Sequence, residues 1–360
     1  MTRLYNFSAG PSTIPGPVLS RARDELLDWH GCGLSILEMS HRGKEFYSIV
    51  EKIENDLRAL LSVPDTHRIL FLQGGATTQF SLVPMNLSGK DRTASYVDTG
   101  YWSRKAIQEG RKFCDVQIAA SSENLNSCSL PSSENWEIDV SADYLHYTAN
   151  ETIEGMEFSE VPDSNGVPLV CDMSSSILSG PIDIGRFALI YAGAQKNLGA
   201  AGITLVVIKE DMLGRVSREL PGVFSYVEYA ENRSLVNTPP TFIWYLMGLV
   251  IEWVDEQGGL DAVAATNAVK ATKLYQAIDR SGFYSNKVRF DARSRMNIPF
   301  MLADADLSDC FILEAEKNGL LNLRGHRSVG GMRASLYNAM PESGVDCLVS
   351  FMTEFERRYG

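Results

Sequence analysis

PLVCDMSSSILSGPIDIGRFALIYAGAQKNLGAAGITLVVIK, residues 168–209, holds three short apolar runs: Leu169 to Asp172, Leu189 to Ala192 and Ile203 to Lys209. They show little polar alternation, the pattern of strands buried on both faces. Similar runs lie upstream at Arg68 to Leu72, Thr93 to Val97 and Tyr144 to Thr148. Helical periodicity occupies Val18 to Trp29, Lys44 to Leu61 and Tyr101 to Lys112, each bounded by Gly, Pro or Asp. Strands alternating with helices specify an α/β fold, a large domain whose mostly parallel sheet is flanked by helices. Ligands of such sheets bind beyond the carboxyl ends of the strands, so the residues just after each run are where chemistry is expected.

Beyond the Gly258-Gly259 pair the pattern changes to one long helix, Leu260 to Ser281, followed by mixed strands and helices. This predicts a smaller α+β C-terminal domain at 259–360, a large domain at 16–258 and an N-terminal segment, 1–15, packing with the small domain. The apolar stretch Phe242 to Val254 contains Glu252 and is shorter than the about 20 residues of a membrane span, so it reads as a buried core helix. The Ser/Asn-rich stretch Ala119 to Ser133 reads as a surface loop.

The chain has 360 residues, 44% of them apolar, enough for a sizeable core. Its net charge of −12 argues against nucleic acid or an anionic membrane as partner, and requires that any anionic ligand meet a local basic cluster. The six cysteines show no C-x-x-C pair or zinc-site spacing, so no metal is expected and they read as reduced thiols. The N-terminal MTRLYNFSAGPS lacks the apolar run of a signal peptide and the Arg/Ser richness of a transit peptide, so a cytoplasmic location is expected.

Lys196 follows the run ending at Ala192 and sits among Gly193, Ala194, Gly199, Ala200, Ala201 and Gly202, small neighbours that leave room for a flat ligand. A desolvated lysine in such a place can attack a carbonyl, although a loop lysine is ordinarily just solvated. Asp172 ends its strand run, where a carboxylate can keep a heteroaromatic ring nitrogen protonated; a turn aspartate serves equally well as a helix cap. QGGATTQF, residues 73–80, follows a strand run and opens a helix, which reads either as an anion cradle centred on Ala76 and Thr77 or as a plain strand-to-helix turn. It has neither the G-K-[ST] ending of a phosphate loop nor a G-x-G-x-x-G pattern. Trp102, after the next run, can lay its indole on a flat ring or simply fill core. His41-Arg42, His326-Arg327 and Arg333 are the basic groups available to carboxylates and phosphates.

Taken together, NFSAGPS, EMSHRGKEF, QGGATTQF, DTGYW, NETIEG, Asp172, YAGAQKNLG, NTPPTF, RSRMNIPF and GHRSVGGMRASLYNAM resemble the phosphoserine aminotransferases, a family of pyridoxal-phosphate (PLP) enzymes of fold type I, over essentially the whole chain. The resemblance implies that Lys196 is the Schiff-base lysine, with Gln195 beside the cofactor phosphate and Asp172 on the pyridine nitrogen. It makes Ala76 and Thr77 the phosphate loop, Trp102 the stacking residue and Thr152 the neighbour of the phenolic oxygen. Asn237 and Thr238 resemble residues that reach the cofactor phosphate of the neighbouring subunit, which implies a homodimer with shared sites. Arg333 resembles the substrate carboxylate anchor, and His41, Arg42, His326 and Arg327 the group that meets the substrate phosphate or distal carboxylate. Two departures concern substrate affinity: Thr77 stands where some relatives have arginine, and Ala9 where some have serine. The implied reaction moves an amino group between glutamate and 3-phosphohydroxypyruvate to give phosphoserine, in serine biosynthesis. Some members also use 4-phosphohydroxythreonine, in pyridoxine biosynthesis. Alanine–glyoxylate transamination and cysteine desulfuration share this fold; the first does not need so many anion-binding residues, and the second needs a cysteine in a mobile flap. A noncatalytic nucleotide-binding or scaffold protein would have no use for Lys196 and Asp172 together.

Overall fold

The computed structural model describes residues 3–89, 91–125, 128–216 and 219–360. Seven strands form the central sheet: β2 (His67–Leu72), β3 (Thr93–Asp98), β4 (Asp115–Ser121), β5 (Leu145–Thr148), β8 (Leu169–Asp172), β9 (Leu189–Gly193) and β10 (Thr204–Lys209). Their order is β2-β10-β9-β8-β5-β3-β4, and only β10 runs against its neighbours. The other six therefore end at one edge, which gathers the segments following β2, β3, β5, β8 and β9. Between β5 and β8 a two-stranded hairpin, β6 (Asn150–Glu151) and β7 (Met156–Glu157), folds back over that edge.

Both faces of the sheet are covered because successive side chains on its central strands are mostly apolar. Ile69, Phe71, Leu145, Leu169, Cys171, Ile190, Leu205 and Val207 face one core, which takes the helices α1 (Gly16–Asp24), α2 (Lys44–Leu60) and α6 (Thr241–Glu256). Leu70, Leu72, Val170, Leu189, Tyr191, Val206 and Ile208 face the other, with α3 (Gly75–Leu87), α4 (Tyr101–Gly110) and α5 (Tyr226–Glu231). Helix α6 is the apolar stretch read as a core helix, and Trp244, Met247, Val250 and Val254 are buried in it. Among the described residues no helix is long and apolar enough to cross a membrane.

A separate core lies between α7 (Gly259–Arg280), α8 (Ser308–Lys317), α9 (Glu342–Tyr359) and the antiparallel sheet β11-β12-β14 (Tyr284–Ser285, Asn297–Leu302 and Met332–Ser335). The N-terminal segment joins it, for β1 (Tyr5–Asn6) pairs in parallel with β13 (Leu320–Leu321) and Phe7 is fully buried there. Helix α7 bridges the two bodies: Leu260 and Val263 belong to the large core, whereas Ala271, Leu274 and Ile278 belong to the second.

Two elements differ from the sequence reading. The helix expected over Val18 to Trp29 is α1, which stops at Asp24. Beyond it the chain turns, with a short 3₁₀ segment at Trp29–Gly31 interrupted by His30 at φ 52°. The stretch taken as a loop from Ala119 begins inside the edge strand β4, whose exposed and half-buried residues hide the strand signal.

Candidate active site

The loops at the sheet edge enclose a cavity of about 460 Å³. Ala76, Thr77, Trp102, Thr152, Asp172, Gln195 and Lys196, seven of the residues singled out from sequence, line it together. Thr148, Asn150, Ser174, Ser175, Gly10 and Pro11 also line it, with Gly74, Gly75, Ala201 and Gly202. Most of this second group lies in the same motifs as the chemistry-bearing residues, for example MSSS after Asp172.

Lys196 occupies the turn after β9, and the N-terminal segment fixes that turn: Ser12 N donates to Gln195 O (2.9 Å) and Ser12 Oγ to Lys196 O (2.7 Å). Its Nζ donates to Thr152 Oγ1 at 2.7 Å. The Thr152 hydroxyl donates onward to Ser175 Oγ (3.2 Å) and that of Ser175 to Asn150 O (2.9 Å), so the acceptor facing the amine has a fixed direction. Desolvation pulls the Lys196 pKa down to about 8, against the opposing field of Asp172. Asp172, at the end of β8, is buried and accepts from Ser174 N at 2.9 Å. Burial raises its pKa, while the Ser174 bonds and the Lys196 charge act the other way. A carboxylate that has lost its water and has only one lysine charge in its surroundings is completed by a cationic N–H group.

The other wall is the start of α3. Gly74 has φ +100°, and a Cβ there would lie 2.1 Å from Thr78 Oγ1, so glycine is needed to bring this turn under the cavity. Among the described residues no side chain caps the helix, which leaves its first amides and the positive end of its dipole available to an anion. Trp102, in the first turn of α4, lies between Tyr101 (ring centroids 5.1 Å apart) and Phe80 (6.5 Å). Thr148 Oγ1, Asn150 Oδ1 and Trp102 Nε1 are buried without a hydrogen-bond partner among the described residues, as expected of a polar pocket shaped for a ligand. A flat ring with a phosphate, a carbonyl and a protonatable nitrogen fits these donors and acceptors. Among the described residues no cluster of His, Cys, Asp and Glu is placed to hold a metal ion.

Arg333, on β14, stands at the cavity edge. Its Nη1 donates to Thr152 O (3.5 Å), its Nε is buried and unpartnered among the described residues, and its charge helps to lower the Lys196 pKa. His326 packs its ring 5.3 Å from that of Tyr101 and shares a 2.6 Å hydrogen bond with Ser328; burial and the charges of Arg333 and Arg327 lower its pKa. Arg327 beside it is exposed. None of these three lines the cavity itself, and neither do the remaining candidates of the same chain. His41 and Arg42 lie in the turn before α2, and the exposed Asn237 and Thr238 are tied to Gln73 (3.3 and 3.4 Å).

The family model of class-V aminotransferases matches residues 4–348. A phosphoserine aminotransferase of Hahella chejuensis is 54% identical over 356 residues, covering 99% of either chain. The solved phosphoserine aminotransferase of Bacillus circulans subsp. alkalophilus superposes with a TM-score of 0.97 at 47% identity, covering 99% of both chains. The PLP-bound phosphoserine aminotransferase of Trichomonas vaginalis superposes at 0.93 with 41% identity, over 98% of this chain and 100% of that one. The sheet, its flanking helices and the second α/β body thus form a fold-type I transferase, and the chain belongs to the class-V aminotransferase family.

Proposed function

We propose that the protein is a PLP-dependent phosphoserine aminotransferase, exchanging an amino group between glutamate and 3-phosphohydroxypyruvate. The observation that carries this reading is a lysine amine of lowered pKa and a buried carboxylate lining one cavity, with an uncapped helix start in its wall and, beside it, an arginine whose Nε has no partner among the described residues. When bound there, PLP supplies an aldehyde that receives the amino group and a protonated ring that accepts electrons from the reacting carbon.

The side chains would divide the work as follows. Asp172 accepts a hydrogen bond from the ring N–H, and the amides of Ala76 and Thr77, with Gln195, hold the phosphate. The Trp102 indole covers the ring face and Thr152 stands beside the phenolic oxygen. Lys196 Nζ carries the proton to and from the substrate α-carbon, acting as base while neutral and as acid once protonated. Arg333 pairs with the substrate α-carboxylate through its free guanidinium edge. His326 and Arg327, with His41 and Arg42, receive the substrate's distal anion.

Asn237 and Thr238 do not line their own chain's cavity, and the reading includes a homodimer in which a second copy brings them to the site. It also includes the division into 1–15, 16–258 and 259–360, a cytoplasmic location, a role in serine biosynthesis and use of 4-phosphohydroxythreonine in pyridoxine biosynthesis.

Purified protein incubated with glutamate and 3-phosphohydroxypyruvate should release 2-oxoglutarate and phosphoserine, and should do so far faster than it converts alanine and glyoxylate. The opposite preference overturns the substrate assignment. Mixing Lys196→Ala with Asn237→Ala/Thr238→Ala subunits tests the shared site: random hybrids restore one intact site in half of the dimers, about a quarter of full activity. No recovery after subunit exchange refutes the shared arrangement.

A further inference from the structure

The hairpin of β6 and β7, Asn150 to Glu157, touches three parts of the site, and two of its side chains, Glu151 and Glu154, have no part in the reaction described above. Glu151 is fully buried and Glu154 nearly so. Both carboxylates meet the start of α4. Tyr101 N donates to Glu154 Oε1 (2.9 Å), Trp102 N to Glu151 Oε2 (3.0 Å) and Ser103 N to Glu151 Oε1 (2.9 Å). Thr99 Oγ1 adds a bond to Glu151 Oε1 at 3.3 Å. Three consecutive first-turn amides are thus satisfied by two acids some fifty positions away, a role that one N-cap side chain usually fills in part. Gly100 makes the approach possible, because a Cβ on it would lie 2.7 Å from the carboxyl carbons of both glutamates.

Of the four carboxyl oxygens, only Glu154 Oε2 has no partner among the described residues, and it is buried. A proton placed there breaks no backbone hydrogen bond and removes the repulsion between two anions that flank one glycine. We propose that Glu151 and Glu154 act as one clamp carrying a single shared proton on Glu154 Oε2, and that this clamp is a positioning device setting Trp102 relative to Lys196. The same hairpin supplies the other end of the connection, since Thr152 Oγ1 accepts from Lys196 Nζ (2.7 Å) and Thr152 O from Arg333 Nη1 (3.5 Å).

The charges around the pair are consistent with one retained proton. Burial raises both carboxyls, Glu154 adding its repulsion to Glu151 and Asp98 of β3 adding its own to Glu154. Arg104 of α4 opposes this at 3.6 Å from Glu154 Oε1, but divides its charge with Asp98 at 3.4 Å. Lys196 and Arg333 act on the pair from across the cavity edge.

The inference rests on the proposed placement of Trp102 and Lys196 against the cofactor, so its test has an arm independent of turnover. In a Lys196→Ala background, which removes the lysine's own ionisation, Trp102 emission is taken as the difference from the same protein carrying Trp102→Phe and followed against pH. The protein with both glutamates should show a step above the ordinary carboxyl range as the shared proton leaves. Glu154→Gln, which is neutral at that position, should abolish the step. In the protein retaining Lys196, Glu154→Gln should keep kcat within about threefold. Glu151→Gln should lower kcat by roughly ten- to a hundredfold with a smaller change in KM, the scale expected when a reacting group is displaced by about 1 Å. A Trp102 step that persists in Glu154→Gln, or Glu151→Gln with an unchanged kcat and emission, overturns the clamp. If Glu151→Gln does not fold, the Glu154→Gln titration still decides. A wild type without transaminase activity but with the Trp102 step present refutes the proposed reaction and leaves the clamp standing.

Discussion

Lys196 and Lys270 are both enclosed by protein, and burial lowers both pKa values, to about 8 and about 7. Their partners separate them. The Lys270 amine, on α7, donates to three carbonyls, Leu336 O (3.0 Å), Tyr337 O (2.9 Å) and Met340 O (3.0 Å), and so ties α7 to the turn after β14. All three ammonium hydrogens are used, which favours the charged form against the effect of burial. Among the described residues Lys196 donates to a single hydroxyl, and it opens onto the cavity. A lowered pKa alone therefore does not distinguish a reactive lysine from a structural one; what distinguishes them is whether the amine has hydrogen-bonding capacity left and space in front of it.

The largest effect that could break this contrast is on turnover. Lys196→Ala should lose activity by at least about a thousandfold, the scale of removing a nucleophile and acid–base group together. Its thermal midpoint should hold or rise, because a desolvated ammonium has been removed. Lys270→Met should do the reverse. Three carbonyls lose their donor inside the protein, a loss of about 2–4 kcal/mol in urea unfolding, with kcat per folded molecule within about threefold. Comparable turnover losses in the two variants would mean that partners do not sort the two lysines.

A smaller effect sharpens the contrast through pH. The folded pKa of Lys196 lies below its ordinary 10.5, so folding expels a proton between the two values. Its contribution to stability is fully present above about 10.5, declines as pH falls towards about 8 and is level below that. The difference in unfolding free energy between wild type and Lys196→Ala should follow that course. Labelling of the cofactor-free protein by an aldehyde with borohydride should rise through a midpoint near 8. A midpoint near 10 would show that the cavity does not desolvate the amine.

Neither lysine could be assigned to its role from its own neighbours in sequence. What was legible was the frame: apolar runs without alternation gave six of the seven central strands, and their ends located Ala76, Trp102, Asp172 and Lys196 at one edge. Strand β4 was missed because an edge strand exposes half its residues and need not be apolar. Helix α1 was read too long because Leu26 and Leu27 continue the apolar period, although Leu27 is 83% exposed. The clamp was overlooked for another reason. Glu151 and Glu154 flank Thr152 in NETIEG, but their partners are the amides of a helix that precedes them, and a backbone donor carries no residue signature. Gly100 in DTGYW was the available sign, a helix start with no side chain to cap it. The same limit applies to Lys270, whose three carbonyl partners could be recognised only once the chain was folded.

The smallest predicted effect concerns the single partner of Lys196. Thr152→Val keeps the shape of the side chain and removes the hydroxyl that accepts from Nζ, while Ser175 keeps its bonds to Asn150 O (2.9 Å) and Asn150 Nδ2 (3.0 Å). Two consequences oppose each other. The ammonium loses a hydrogen bond of about 1 kcal/mol, so the labelling midpoint should move below 8 by about 0.7 of a unit and more of the amine should be neutral. The amine also loses its direction, and turnover should fall by about three- to tenfold despite the larger neutral fraction. A lower midpoint with slower turnover is what a one-partner lysine predicts. An unchanged midpoint would mean that the hydroxyl does not hold the charged amine, and the distinction from Lys270 would then have to be sought in the space before Lys196, not in its hydrogen bond.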